Sequence, residues 1–268
     1  MVTYQTSRNN LLRKRQLVSV SLATAMMVSW PVKAEHISFF GGEIPYVFHQ
    51  EQTGPHNEFY ERVLQQSLDS HEIKFLPYRR AIRDFSARSA DCLYVATDTK
   101  EDYPQEAIAK NEIIFSAPIN RINLHAYTRL DEPTVKSMSD LEGKVIAGAR
   151  SHLKKLTSLA KVSSNRIVIG TADHIKAFDL LDRGRVDVVI AYEFDHVSSE
   201  TTHNFTKHNF DQDFIIKTTN EVVACWTSVE TTSFIGTLND KIKDLRQNKK
   251  LEEMFDLDGL KNNKHSMH

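Results

Sequence analysis

Residues 76–98 read LPYRRAIRDFSARSADCLYVATD, and this stretch decides the fold class. Ala81, Ile82 and Phe85 recur at helical spacing between Tyr78 and about Arg88, with Arg79, Arg80, Arg83 and Arg88 largely on the opposite face, so an amphipathic helix is expected. Ser89-Ala90 ends it. Asp91 to Ala96 then runs almost without a polar side chain, the pattern of a parallel strand covered on both faces. A helix feeding a buried strand that opens into the polar loop Thr97–Lys100 is one step of an α/β chain.

Upstream, Ile73–Leu76 is a short strand, and Gly54-Pro55 opens a helix carrying Phe59, Val63 and Leu64. The first strand, His36–Phe40, is expected to break at Gly41-Gly42, where paired glycines let the backbone turn or approach a ligand. Downstream, Ile119 to Thr128 is too long for an ordinary strand and has no helical period, so it reads as a crossing between two lobes. The alternation then restarts: strand Val145–Gly148, helix Ser151–Lys161, strand Ile167–Ile169, helix Ala172–Arg183, strand Val186–Ala191. Phe214–Ile216 with Val222–Trp226 reads as the return crossing, and Phe234, Leu238, Ile242 and Leu245 mark the buried face of a last helix. Two tandem α/β units imply two sheets.

Composition bounds the function. The chain has 268 residues, 40% apolar and 26% charged, with a formal charge of −1. Residues 1–34 contain five bases and no acid, so their removal would leave −6, which argues against a nucleic-acid partner. Arg13-Lys14-Arg15, the uncharged run Leu17–Trp30 and the small residues Val32 and Ala34 together read as a cleaved secretory signal over 1–34. The alternative, an uncleaved anchor, has a run short of the roughly 20 residues that span a bilayer. Cys92 and Cys225 each sit in an apolar run; they can pair in an oxidising compartment, but buried free thiols are the expectation. The twelve histidines lack metal-ligand spacing and read as solvated, so no metal or other cofactor is expected. Nucleotide-binding and nucleophile-elbow motifs are absent.

In family order, these stretches resemble the family 3 extracytoplasmic solute-binding proteins, with the type II periplasmic binding fold. The resemblance rests on Pro45-Tyr46, Gly54 with Glu58-Phe59, Leu76-Pro77-Tyr78 with Arg80-Ala81-Ile82, Ala90-Asp91-Cys92, Thr97 and Phe115-Ser116-Ala117-Pro118. It continues through Ser139–Val145, Ala177–Leu181 and Gly184–Val189. It implies a monomeric, periplasmic, non-enzymatic protein that closes two α/β lobes on a small polar ligand and meets a transporter permease or a membrane sensor. Lobe 1 would be residues 35–118 and 223–268, and lobe 2 residues 119–222. A dehydratase on the same fold is the enzymatic alternative, with Glu193 as its acid.

Ligands of such sheets lie beyond the carboxyl ends of strands. This geometry selects Tyr46, Tyr78, Arg79, Thr97, Lys100, Ser116, Arg121, Arg150, Ser151, Tyr192 and Glu193. Two departures from the family's amino-acid clamp stand out: Lys100 replaces an arginine, losing its planar fork, and Tyr192-Glu193 stands where an aspartate is expected. Amino-acid specificity is therefore not carried over. The bases Arg79, Lys100, Arg121 and Arg150 suggest an anionic group on the ligand.

Overall fold

The helix that opens at Tyr78 forms because its apolar positions have a sheet to cover. In the computed structural model, α2 (Tyr78–Ser86) buries Ala81 and Phe85 and leaves Arg79, Arg80 and Arg83 exposed, and β3 (Cys92–Thr97) is buried along its whole length. The structure describes residues 36–44, 47–51, 54–67, 73–150, 167–171, 173–196 and 208–256, all within the unit Glu35–His268. The expected helix Ser151–Lys161 lies outside these residues, as do residues 1–34.

Around that step the first half assembles from β1 (Phe39–Glu43), β2 (Ile73–Pro77) and β3, with β1 running parallel to both neighbours. Between β1 and β2, α1 (Pro55–Phe59) widens into a π-helical turn, Tyr60–Leu64, and closes in the 3-10 turn Gln65–Ser67. After β3 come α3 (Gln105–Ala109) and the short β4 (Ile113–Phe115). The second half repeats the plan: β6 (Val145–Ala149) lies parallel between β7 (Ile167–Thr171) and β8 (Val188–Tyr192), with α4 (His174–Asp182) buried through Ala177, Phe178 and Leu181.

Two ten-residue strands join the halves. β5 (Asn120–Arg129) leaves the first half and pairs with β8, and β10 (Lys217–Trp226) returns to pair with β3 and β4. Where they pass, they pair antiparallel, Asn120 opposite Glu221 through Leu124 opposite Lys217. The expected pair of sheets is therefore one hydrogen-bonded sheet of ten strands, ordered β2-β1-β3-β10-β5-β8-β6-β7, with β4 on β10 and β9 (His208–Asn209) on β5. Where they pass, the two crossing strands satisfy each other's backbone groups. α5 (Val229–Gln247) and α6 (Lys250–Met254) close the described chain, α5 buried through Phe234, Ile235, Leu238 and Ile242.

Three expectations are corrected. The glycine pair does not break β1: Gly41 and Gly42 lie inside it, because a Cβ at Gly41 would stand 2.6 Å from the Phe48 ring and one at Gly42 would stand 2.7 Å from Tyr78 Cδ2. The glycines provide space rather than a turn. The cysteines are not free: Cys92 and Cys225 face each other across the antiparallel β3–β10 pair and form a disulfide. Nor are the described histidines all solvated. His56, His125, His174, His196 and His208 are buried, and four of them meet a carboxylate: Glu221, Glu193, Asp195 and Asp182.

The register between β3 and β10 shifts so that Tyr94 and Val95 together oppose Val223, and Val95 takes a left-handed φ of 59°. A β-branched residue is strained there, and a bulge of this kind re-aims the residues that follow it, here Ala96 and Thr97 at the carboxyl end of the strand.

Candidate functional site

The carboxyl ends of β1, β2, β3, β6 and β8 and the crossing of β5 with β10 supply the polar residues of the candidate site. Tyr78, the first residue of α2, lays its ring against Gly42 near the end of β1. The residue keeps some exposure, but its phenol lies deep. Burial pushes its pKa well above the ordinary value, and the neighbouring Tyr103, Asp102, Tyr192 and Glu221 push it the same way. Tyr78 therefore keeps its proton, and its hydroxyl is able to donate a hydrogen bond. Two of those neighbours, Asp102 and Tyr103, follow β3; Glu221 is on β10; Tyr192 ends β8 in the second half.

Beneath Tyr78 the polar groups are bonded to one another. Thr97 Oγ1 is 3.3 Å from Asp102 Oδ2, and Tyr103 donates its hydroxyl to the Thr97 carbonyl at 2.6 Å. Glu221, opposite Thr97 in the β3–β10 register, is 4% exposed, and one of its oxygens meets both His56 Nε2 at 3.1 Å and Asn120 Nδ2 at 2.8 Å. The other ring nitrogen of His56 is 3.0 Å from the Tyr94 hydroxyl, whose pKa is raised by burial and by Glu221. A buried carboxylate needs such partners to offset its desolvation. Here they tie α1, β3, β5 and β10 together where the strands cross.

The second half contributes Tyr192 and Glu193. The Tyr192 hydroxyl is 3.3 Å from Thr219 Oγ1 on β10. Glu193, half-buried, takes His125 Nε2 at 3.1 Å and Asn123 Nδ2 at 3.4 Å on one oxygen. Burial raises its pKa, but the hydrogen bonds from His125 and Asn123 outweigh that effect and hold the carboxyl below the usual range. At neutral pH Glu193 is an anion and an acceptor, the wrong state for a general acid.

The expected residues divide into distinct placements. Tyr78, Thr97, Tyr192 and Glu193 sit at strand ends beside the crossing, while Arg79, Lys100, Arg121 and Arg150 are exposed around them. Ser116 commits its hydroxyl, which donates to the Ala117 carbonyl and accepts from Val223 N–H, to fastening β10. Tyr46 and Ser151 lie outside the described residues. Sequence reasoning missed His56, Tyr94, Tyr103, Asn120, Thr219 and Glu221 as members of this network. The one visible signal was a charged Glu221 entering the apolar run Val222–Trp226. Among the described residues no group of three or more His, Cys, Asp or Glu is placed to hold a metal ion. A separate cavity of about 430 Å³, lined by Arg129, Glu132, Lys136, Asp140, Lys144 and Asp187, lies where β5 ends and where β6 and β8 begin.

No family model matches the chain, and no curated protein is similar to it in sequence. Its structure is similar to many solved ones. A variant of the arginine-binding protein ArgBP from T. maritima superposes with a TM-score of 0.62 at 17% identity, covering 82% of this chain and 93% of that one. The GluR0 ligand-binding core from Nostoc punctiforme, in complex with L-glutamate, gives 0.63 at 16% identity over 82% and 97%. A histidine kinase sensor domain with similarity to periplasmic binding proteins gives 0.61 at 16% identity over 82% and 93%. At these identities the likeness shows the fold: the chain shares the two-lobed α/β fold of these structures.

Proposed function

We propose that this protein is an extracytoplasmic solute-binding protein that captures a small polar ligand, with an anionic group, between lobes built on the two halves of its sheet, residues 35–118 with 223–268 and residues 119–222. One observation carries the reading: at the strand ends of the two halves, Tyr78 lies against Gly42 near the end of β1, and the Tyr192 hydroxyl at the end of β8 is 3.3 Å from Thr219 on the crossing strand β10. A ligand seated between them would stabilise the closed arrangement by its differential affinity for it, and no bond need be made or broken. The candidate residues are Tyr78, Arg79, Thr97, Lys100, Arg121, Arg150, Tyr192 and Glu193, with Tyr46 and Ser151 beside them.

The buried Cys92–Cys225 disulfide supports an oxidising compartment such as the periplasm, in keeping with the signal-like segment over 1–34. Among the described residues no helix is long and apolar enough to cross a membrane. The ionised state of Glu193 favours binding over the dehydratase reading. Delivery to an ABC transporter permease is the leading role, and signalling to a membrane sensor is supported by the sensor-domain neighbour.

Thermal-shift screening of protein stripped of ligand, against organic acids, amino acids and amines, tests the reading, since a compound that binds only the folded state raises Tm. Tyr78→Ala and Arg79→Ala should abolish the shift given by the best compound. If both variants keep it in full, the site is misplaced.

A further inference from the structure

We infer that His196 and His208 form an acid-sensitive clasp on the turn that carries Glu193, one that accommodates a single added proton and releases with a second. The inference rests on the ligand-binding reading above only in counting Tyr192 and Glu193 among the binding residues. Residues 193–196 are helical and follow directly on β8, with His196 at their end. Nε2 of His196 lies 3.4 Å from Nδ1 of His208 on β9, and Nε2 of His208 lies 2.9 Å from Oδ1 of Asp182, the last residue of α4. Both imidazoles are buried. Aromatic rings hold them in place: Tyr127 stacks on His196 with centroids 4.4 Å apart, and Phe178 stacks on His208 at 4.8 Å.

The hydrogen bonds fix the tautomers. A carboxylate only accepts, so His208 carries a hydrogen on Nε2, and its neutral ring has a lone pair on Nδ1. His196 Nε2 then supplies the hydrogen between the rings, giving a chain of donors from His196 through His208 to Asp182. One added proton fits: when both nitrogens of His208 carry hydrogen, a neutral His196 in its other tautomer accepts from Nδ1. A second proton does not, because two buried cations would then point N–H groups at each other. The other ionisable groups around the pair do not relieve this. Arg129, opposite His208 in the β5–β9 register, is itself a cation, bonded to the Leu181 and Val186 carbonyls and to Glu132. His125, whose ring packs on Tyr127, is held by Glu193, and Asp195, beside His196, meets His174 and the Tyr192 N–H. A released pair takes up two protons where the clasped pair takes up one. Each unit of pH below about 6.5 therefore shifts the balance about tenfold towards release. Release loosens the turn to which Glu193 belongs.

The test needs no ligand. Imidazole resonances of the 15N-labelled full chain, followed by NMR from pH 8 to 5, should show one of the two rings taking up a proton while the other stays neutral until the turn loosens. Over the same range, amide hydrogen exchange at residues 193–196, corrected for its intrinsic rate, should lose protection about tenfold per pH unit below about 6.5. His196→Gln still offers His208 a donor and an acceptor but takes up no proton, so its protection should stay level. Independent protonation of both rings, with protection unchanged, overturns the inference. So does a His196→Gln protein that loses protection as steeply as wild type, since the acid sensitivity then lies with His125 or His174. Should His196→Gln fail to fold, the ring titration of the wild type decides alone. Failure of the clasp leaves the ligand-binding reading intact, whereas thermal-shift screening without a single binder removes that reading and leaves the clasp.

Discussion

The disulfide between Cys92 and Cys225 gives the most quantitative test of the fold. It closes a loop with a sequence separation of 133 residues, which contains the whole second half of the sheet and both crossings. Releasing such a loop raises the conformational entropy of the unfolded chain, and the chain-entropy relation gives about 5 kcal/mol at 25 °C for this length. Measured values commonly fall at about 2–4 kcal/mol. Both sulfurs are fully buried, so the double substitution Cys92→Ala/Cys225→Ala also removes core contacts and adds to the loss. With a urea slope of about 3 kcal/mol per molar, the upper end of the range for small proteins, a loss of about 4 kcal/mol moves the unfolding midpoint down by more than about 1 M. Far-UV circular dichroism against urea, for wild type and double variant, reads this directly. Two titratable thiols in the denatured, unreduced wild type would refute the bond. A midpoint shift under about 0.3 M, with the bond present, would refute the loop-closure reasoning.

Gly41→Ala and Gly42→Ala make a paired test of what the two glycines do. The first methyl meets Phe48 and Ile73 in the core and should cost about 1–3 kcal/mol by overpacking, seen as a lower Tm. The second meets Tyr78, its ring at 2.7 Å and its Cα at 3.6 Å, so it should alter the ligand-induced thermal shift more than the Tm of the free protein. His56→Ala leaves Glu221 without its imidazole partner and should destabilise by about 3 kcal/mol in urea unfolding, the scale for breaking a buried charged contact; a loss under about 1 kcal/mol would show that Asn120 alone suffices. Because the folded-state pKa of Glu193 lies below its unfolded value near 4.5, its contribution is present above that pH and is lost as pH falls through the folded pKa. The group is half exposed, so the effect is under about 1 kcal/mol. As pH is lowered from 6 to 3, Tm should fall less steeply for Glu193→Gln than for wild type.

Much of the fold is legible in the sequence because it depends on local patterning. The period of Ala81, Ile82 and Phe85, the unbroken apolar run from Cys92 to Ala96 and the overlong stretch from Ile119 fix a helix, a covered strand and a crossing without any partner being known. Where these signals were misread, a long-range contact overruled a local rule. Gly41-Gly42 has the composition of a turn, but Phe48 and Tyr78 need the room that a side chain would fill. Buried histidines look like solvated ones until a carboxylate distant in sequence is set beside them, as Glu221 is beside His56.

By itself, then, the sequence determined the α/β alternation, the two crossings and the strand ends at which polar residues gather, since these follow from hydrophobic periodicity and backbone chemistry. Register was left to the tertiary structure. Pairing Cys92 with Cys225, Asn120 with Glu221 and Thr97 with Glu221 depends on which residues of β3, β5 and β10 come opposite one another. A strand's own alternation is indifferent to that choice, and only packing of the whole sheet selects it. The same choice decided the chemistry of the site: it set Glu221 between His56 and Asn120 where the strands cross.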